Sequence, residues 1–175
     1  MSGSGKSTLV NNLSFLFPDI YKKLITYTSR SRRISEVCGE DYNFVFEEVI
    51  TSENGFILIR KRPEGVYGVL QSDIDISSQK SLLTTFPPKG ILLLESLGYK
   101  VINFFLDRSL ENRIAGMKKR GDLEVDINNR ISVDEKESSF DALKTILPNH
   151  HLYVLNGDQE ELKVVEDFHS IAKTF

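Results

Sequence analysis

The chain has 175 residues, a length that fits one domain and buries a large core without disulfides or metal. Apolar residues make up 40% and charged residues 27%, which excludes a disordered chain and a coiled coil. A net charge of −3 and a single cysteine, Cys38, argue against a general nucleic-acid or anionic-membrane binder, a disulfide framework and a cysteine-rich zinc site. No apolar run approaches the roughly 20 residues that span a bilayer, and residues 1–6 lack an apolar signal core. The expectation is a cytoplasmic enzyme or adaptor.

In chain order, Leu9, Val10, Leu13 and Leu16 recur at helical spacing after Lys6, and Pro18 closes that helix. Residues 23–28 read as a strand and the Arg-, Ser-, Glu- and Gly-rich residues 29–42 as a loop. Short strands are expected at 43–46, 56–60 and 66–70, with Asn54-Gly55 and Pro63-Glu64-Gly65 as turns. Residues 81–85 read as a strand, Pro87-Pro88 as a break and 90–97 as a buried helix capped by Gly98. A strand at 101–106 follows, then a helix from the cap Ser109 to about Arg120, interrupted by Gly121-Asp122. A polar helix at 125–138, a strand at 152–155 and a helix at 159–173 complete the chain. The alternation predicts an α/β fold with a mainly parallel sheet, in a single domain over 1–175.

Gly3-Ser4-Gly5-Lys6-Ser7-Thr8 before an amphipathic helix matches the second half of the phosphate-binding loop G-x-x-x-x-G-K-[ST]. Glycines let backbone N–H groups curl around an anion, and the helix adds its positive end. Lys6 reaches the β- and γ-phosphates of ATP, and the Ser7 hydroxyl ligates Mg²⁺. The motif's first glycine and its preceding strand are missing, so the chain reads as N-terminally short. The bland alternative is a Gly/Ser-rich tail.

Downstream, Thr28-Ser29-Arg30-Ser31-Arg32-Arg33 leads to Tyr42. Paired guanidinium forks suit a dianionic phosphate, and a phenol adds a neutral donor. By itself the stretch also reads as an exposed basic loop, even a weak nucleic-acid patch.

Together these segments resemble the guanylate kinase family, whose pattern runs close to T-x-R-x-P-R-x-G-E-x-x-G-x-D-Y-x-F. Thr28, Arg30, Arg33, Glu36, Gly39, Asp41, Tyr42 and Phe44 match in register, with Arg32 and Ser35 replacing the proline and glycine. Gly65-Val66-Tyr67-Gly68 looks like the family's G-x-Y-G turn, 113–121 like its lid helix, Ile127-Asn128-Asn129-Arg130 like the segment after it, and 154–158 like its V-x-N-x-D strand end. The resemblance implies a P-loop NTPase three-layer fold with a parallel sheet, a small β-rich acceptor-binding region at about 29–70 and a helical lid at about 118–130. It implies acceptor-phosphate contacts from Arg30, Arg33, Tyr42 and Tyr67, a substrate-binding Thr26 where the family has a base-recognition serine, and catalytic lid arginines at Arg120 and Arg130 beside Lys6. Arg130 pairing with Asp134 one turn on, and Lys118-Lys119-Arg120 as a merely solvated helix face, are the structural alternatives.

The match fails at base recognition, where Leu58 stands for the family's glutamate and Val69 for a serine. Residues 82–88 fill the family's L-D-I-D-x-Q-G strand without either acid; an alternative placing Leu93-Leu94-Glu95-Ser96 there keeps Glu95 but deletes a helix. The expected activity is ATP- and Mg²⁺-dependent phosphoryl transfer to a nucleoside monophosphate, GMP foremost, with no membrane or nucleic-acid partner. The rivals are a kinase for another phosphorylated small molecule and an inactive protein-binding module. His150, His151 and His169 lack metal-ligand spacing, and Cys38 lacks a nearby histidine.

Overall fold

A computed structural model describes residues 1–34, 36–76, 79–86 and 88–175. The substitution at Ser35 and the break at Pro87 therefore lie outside the described residues. The elements are α1 (Lys6–Leu16), β1 (Tyr21–Lys23), β2 (Tyr27–Thr28), β3 (Asn43–Phe44), β4 (Phe56–Arg62), β5 (Gly65–Leu70), α2 (Gln71–Asp75), β6 (Ser81–Leu83), α3 (Pro88–Ser96), β7 (Asn103–Asp107), α4 (Leu110–Lys119), α5 (Glu124–Glu137), α6 (Phe140–Ile146), β8 (Leu152–Asn156) and α7 (Glu161–Ala172). Two compact units emerge, Met1–Leu13 with Thr85–Phe175, and Ser14–Thr84.

The second unit holds two sheets. Parallel β1 and β6 align Tyr21 with Ser81 and Lys23 with Leu83. A four-stranded sheet runs β3-β2-β5-β4, with β2 and β3 parallel and the other pairs antiparallel. Ile50, Phe56 and Val66 form its core, with Tyr27, Val45 and Leu70 packed against them. The strand expected at 23–28 is thus two. Leu24 still bonds to Leu83 in the first sheet at 2.9 Å, whereas the Thr26 carbonyl already accepts from Asn43 in the second at 2.9 Å. The chain changes sheets between them, which no period-2 pattern reveals.

In the first unit, β7 and β8 pair in parallel from Asn103–Leu152 to Asp107–Asn156. Successive strand residues face opposite sides. Phe104 accordingly meets Phe168 of α7, ring centroids 4.0 Å apart, and Phe105 meets Phe140 of α6 at 5.4 Å. Helices therefore cover both faces of this strand pair, the layering an α/β fold requires. Where one mainly parallel sheet is expected, the described residues carry three parallel pairs, β1–β6 and β2–β3 in one unit and β7–β8 in the other, and residues 1–5 contribute no strand.

Helix ends follow the local chemistry. Ser109 caps α4 by accepting from the Asn112 amide, as expected. Gly98 closes α3, donating to Glu95 while Tyr99 donates to Leu94. The short helices α2 and α6 are not anticipated from sequence; α6 starts at the cap Ser139, which accepts from the Ala142 amide.

Candidate active site

The phosphate loop opens α1. The first helical bond runs from the Leu9 amide to the Gly5 carbonyl at 2.9 Å, so the amides of Lys6, Ser7 and Thr8 precede the intrahelical ladder and can serve an anion. Gly3 and Gly5 have φ of 71° and 91°. A side chain at Gly3 is doubly excluded, since its Cβ would lie 2.3 Å from the Arg113 carbonyl oxygen. Ser4 is buried and donates to the Met1 carbonyl at 2.9 Å. Lys6 folds back along the loop, donating to the Met1 carbonyl and to Ser4 Oγ. Burial pushes its ammonium below the usual lysine range; the charges of Arg113 and Arg120 act the same way, and Asp134 opposes them. Ser7 and Thr8 are exposed.

Arg108 reaches the same loop, its Nη1 3.4 Å from the Gly3 carbonyl oxygen. It borders a cavity of about 60 Å³ lined also by Gly5, Thr8, Asn12 and Gln159. Asp158 accepts from Ser109 and Asn112, tying the end of β8 to the start of α4.

Both expected lid arginines converge on one carboxylate that sequence reading did not single out. Arg120 Nε donates to Asp122 Oδ2 at 2.7 Å, and Arg130 Nη1 lies 4.0 Å from the same oxygen. The alternative pairing of Arg130 with Asp134 gives way, because Asp134 receives Arg113 instead at 2.8 Å.

In the second unit the structure gathers Arg30, Arg33, Tyr42 and Tyr67. The Arg30 guanidinium lies 4.9 Å from the Tyr42 ring centroid, and the Tyr42 and Tyr67 rings meet edge-on at 6.0 Å. Gly65 makes room, for a Cβ there would sit 2.6 Å from the Arg30 amide nitrogen. Thr26 immediately precedes β2, its carbonyl accepting from the Asn43 amide.

Arg30 is only 7% exposed and its donors are heavily committed. Nε donates to Tyr67 Oη at 3.1 Å, Nη1 to the Ser31 carbonyl at 2.9 Å and to Glu36 Oε2 at 2.8 Å, and Nη2 to Glu36 Oε1. Glu36 also accepts from the Arg33 amide at 2.9 Å, and Arg33 Nη1 lies 3.6 Å from Glu36 Oε1. The hydrogen bond from Arg30 holds the Glu36 carboxyl below the usual range, and the reciprocal bond raises Arg30. Burial raises the Tyr67 phenol, with Glu64 adding to the shift. Arg33, with 46% of its side chain exposed, is the more accessible fork.

A family profile described as guanylate kinase matches residues 1–152. Guanylate kinase from Protochlamydia amoebophila is 31% identical over 186 residues, covering 98% of this chain and 90% of that protein. The chain belongs to the guanylate kinase family. Guanylate kinase from Chlamydia felis is 35% identical over 125 residues, which cover 69% of this chain but only 61% of that relative. The crystal structure of guanylate kinase from Anaplasma phagocytophilum superposes with a TM-score of 0.61 at 20% identity, over 97% of this chain and 81% of that one, and shows the shared fold.

Two of the departures from the guanylate kinase pattern are Leu58 and Val69. Leu58 sits at φ 55°, where the β4–β5 register slips between Ile57 and Arg60, and Val69 is buried. Neither side chain can hydrogen-bond a base edge. The strand at Ser81–Leu83 and the helix at Pro88–Ser96 place Glu95 on α3, where it meets His150 Nε2 at 2.6 Å, so the strand alternative for Glu95 is overturned. Among the described residues no group of three or more His, Cys, Asp or Glu is arranged to hold a metal ion. The donor that fits Mg²⁺ is the exposed Ser7 hydroxyl, a hard oxygen at the mouth of the cradle. No helix among the described residues is long and apolar enough to cross a membrane.

Proposed function

We propose that this chain is an ATP-dependent nucleoside monophosphate kinase, acting on GMP as a loosely read acceptor. The observation that carries this reading is the glycine cradle at Gly3–Thr8 opening α1, in the same chain as Arg30 braced by Tyr67 and Tyr42, with Arg33 beside it on Glu36. Gly3, Ser4, Gly5, Lys6, Ser7 and Thr8 hold the ATP phosphates; Arg30, Arg33, Tyr42 and Tyr67 hold the acceptor phosphate, and Thr26 contacts the rest of the acceptor. Lys6, Arg120 and Arg130 offset charge on the transferred group. Ser7 would hold Mg²⁺, which would supply charge neutralisation at the donor phosphates. The chain's work is positioning, with no covalent protein intermediate. The reading takes residues 1–175 as one kinase domain, with its acceptor region at about 29–70 and its lid at about 118–130, acting in the cytoplasm.

A second acceptor class is favoured by Leu58 and Val69, which remove directional readout of guanine. The decisive experiment is coupled ADP release with ATP and Mg²⁺ over GMP, AMP, CMP, UMP and other phosphate monoesters. Turnover with GMP supports the reading. Turnover only with a non-nucleotide monoester moves the activity to another acceptor. No turnover, with no thermal shift from ATP, leaves an inactive protein-binding module.

A further inference from the structure

Two buried side chains hold the phosphate loop at Ser2. Arg113 of α4 and Asp134 of α5 are 4% and 9% exposed and pair Nη2 to Oδ2 at 2.8 Å. Both backbone polar groups of Ser2 join that pair. Its amide donates to Asp134 Oδ2, and its carbonyl accepts from Arg113 Nε at 3.1 Å. One donor and one acceptor of a single residue are thus satisfied together, as a neighbouring strand would satisfy them.

The next residue is pressed onto the same helix. Gly3 lies against the Arg113 carbonyl, and a Cβ on Gly116 would come within 3.2 Å of the Gly3 carbonyl oxygen. Asp134 also supplies the carboxylate charge that opposes desolvation of Lys6. The two helices that make this clasp lead to Arg120 and carry Arg130.

We infer that the Arg113–Asp134 pair is a positioning device for the donor phosphates, setting the path of Gly3–Lys6 and hence the affinity for the triphosphate. This rests on the phosphate-loop reading above. Stability alone does not call for such a pair, because well-packed apolar residues of similar volume commonly replace buried ion pairs at no loss. What an apolar pair cannot supply is the two hydrogen bonds to Ser2.

That difference provides the test. The double variant Arg113→Leu/Asp134→Ala and the single variant Asp134→Asn are compared with the wild type by thermal melting. Calorimetry uses ATP·Mg²⁺, inorganic triphosphate and GMP. The expected double variant melts near the wild type, binds ATP and triphosphate at least about tenfold more weakly, and binds GMP unchanged. Asp134→Asn shows a smaller loss, also confined to the triphosphate ligands. Wild-type triphosphate affinity in a folded double variant overturns the inference, as does equal loss for GMP and ATP. If the double variant does not fold, Asp134→Asn decides by the same split. A wild type that binds neither ATP nor triphosphate removes the phosphate-loop reading itself, and the inference with it.

Discussion

At the phosphate loop the groups we propose for ligand binding are backbone amides and one lysine, whereas in the Ser14–Thr84 unit they are two guanidinium groups and two phenols. The cradle depends on glycines and on an anchor behind them, and its cation is buried against the loop's own carbonyl and hydroxyl oxygens. The fork depends on charge, and that charge is already balanced. Arg30 gives both terminal nitrogens to Glu36, which leaves Arg33 as the exposed member. A site made of backbone tolerates side-chain change around it but not loss of its path. A site made of side chains can be retuned one residue at a time.

The largest expected effect is at Lys6. Lys6→Met should lower phosphoryl transfer by at least about 10²–10³-fold. Because burial lowers the Lys6 pKa, its charged form costs stability at neutral pH. The variant should therefore melt at or above the wild type, read by coupled ADP release and a thermal scan. An active variant would remove the lysine's role, and a large drop in midpoint would make it structural.

Next comes the fork. Arg33→Ala should raise the acceptor KM by about tenfold or more while leaving the ATP KM unchanged, the signature of a lost charge-assisted contact in one site. An equal change in both constants would blur the contrast between the two regions.

Glu36 should act through pH. Its carboxyl is held low by Arg30, so its stabilisation is present above the unfolded value of about 4.3 and is lost as pH falls through the folded value. Glu36→Gln should cost about 1–3 kcal/mol near neutrality, with the two melting curves converging in acid. Parallel curves at every pH would show that the ion pair does not carry the difference.

The smallest effect concerns the base. With Leu58 and Val69 in place, GMP and AMP should differ in kcat/KM by no more than about 10²-fold, since discrimination beyond that needs polar partners in the site. A much larger preference would require a base-reading group elsewhere.

Much of this was legible in the residues and some was not. Gly3 to Thr8 and the leucines after them announce a loop and a helix because backbone curvature and helical periodicity are local properties. Arg30, Arg33 and Tyr42 are legible as hydrogen-bond donors, and the fold brings Arg30 against both Glu36 and the Tyr42 ring. Arg113 and Asp134 read as ordinary polar positions on two helices, and only tertiary packing buries them around Ser2. Asp122 reads as part of a helix break, yet its carboxylate gathers Arg120 and Arg130. The split of residues 23–28 between two sheets is likewise set by long-range pairing, with Leu83 on one side and Asn43 on the other.

We propose that the glycine cradle and the arginine fork serve one transfer. The most direct measurement titrates the protein with adenosine and guanosine joined through a pentaphosphate, beside ATP and GMP alone. The account predicts a dissociation constant at least about 10²-fold below either single nucleotide, with that gain lost in both Lys6→Met and Arg33→Ala. A linked ligand that binds no tighter than ATP, or that ignores one of the two substitutions, would contradict it.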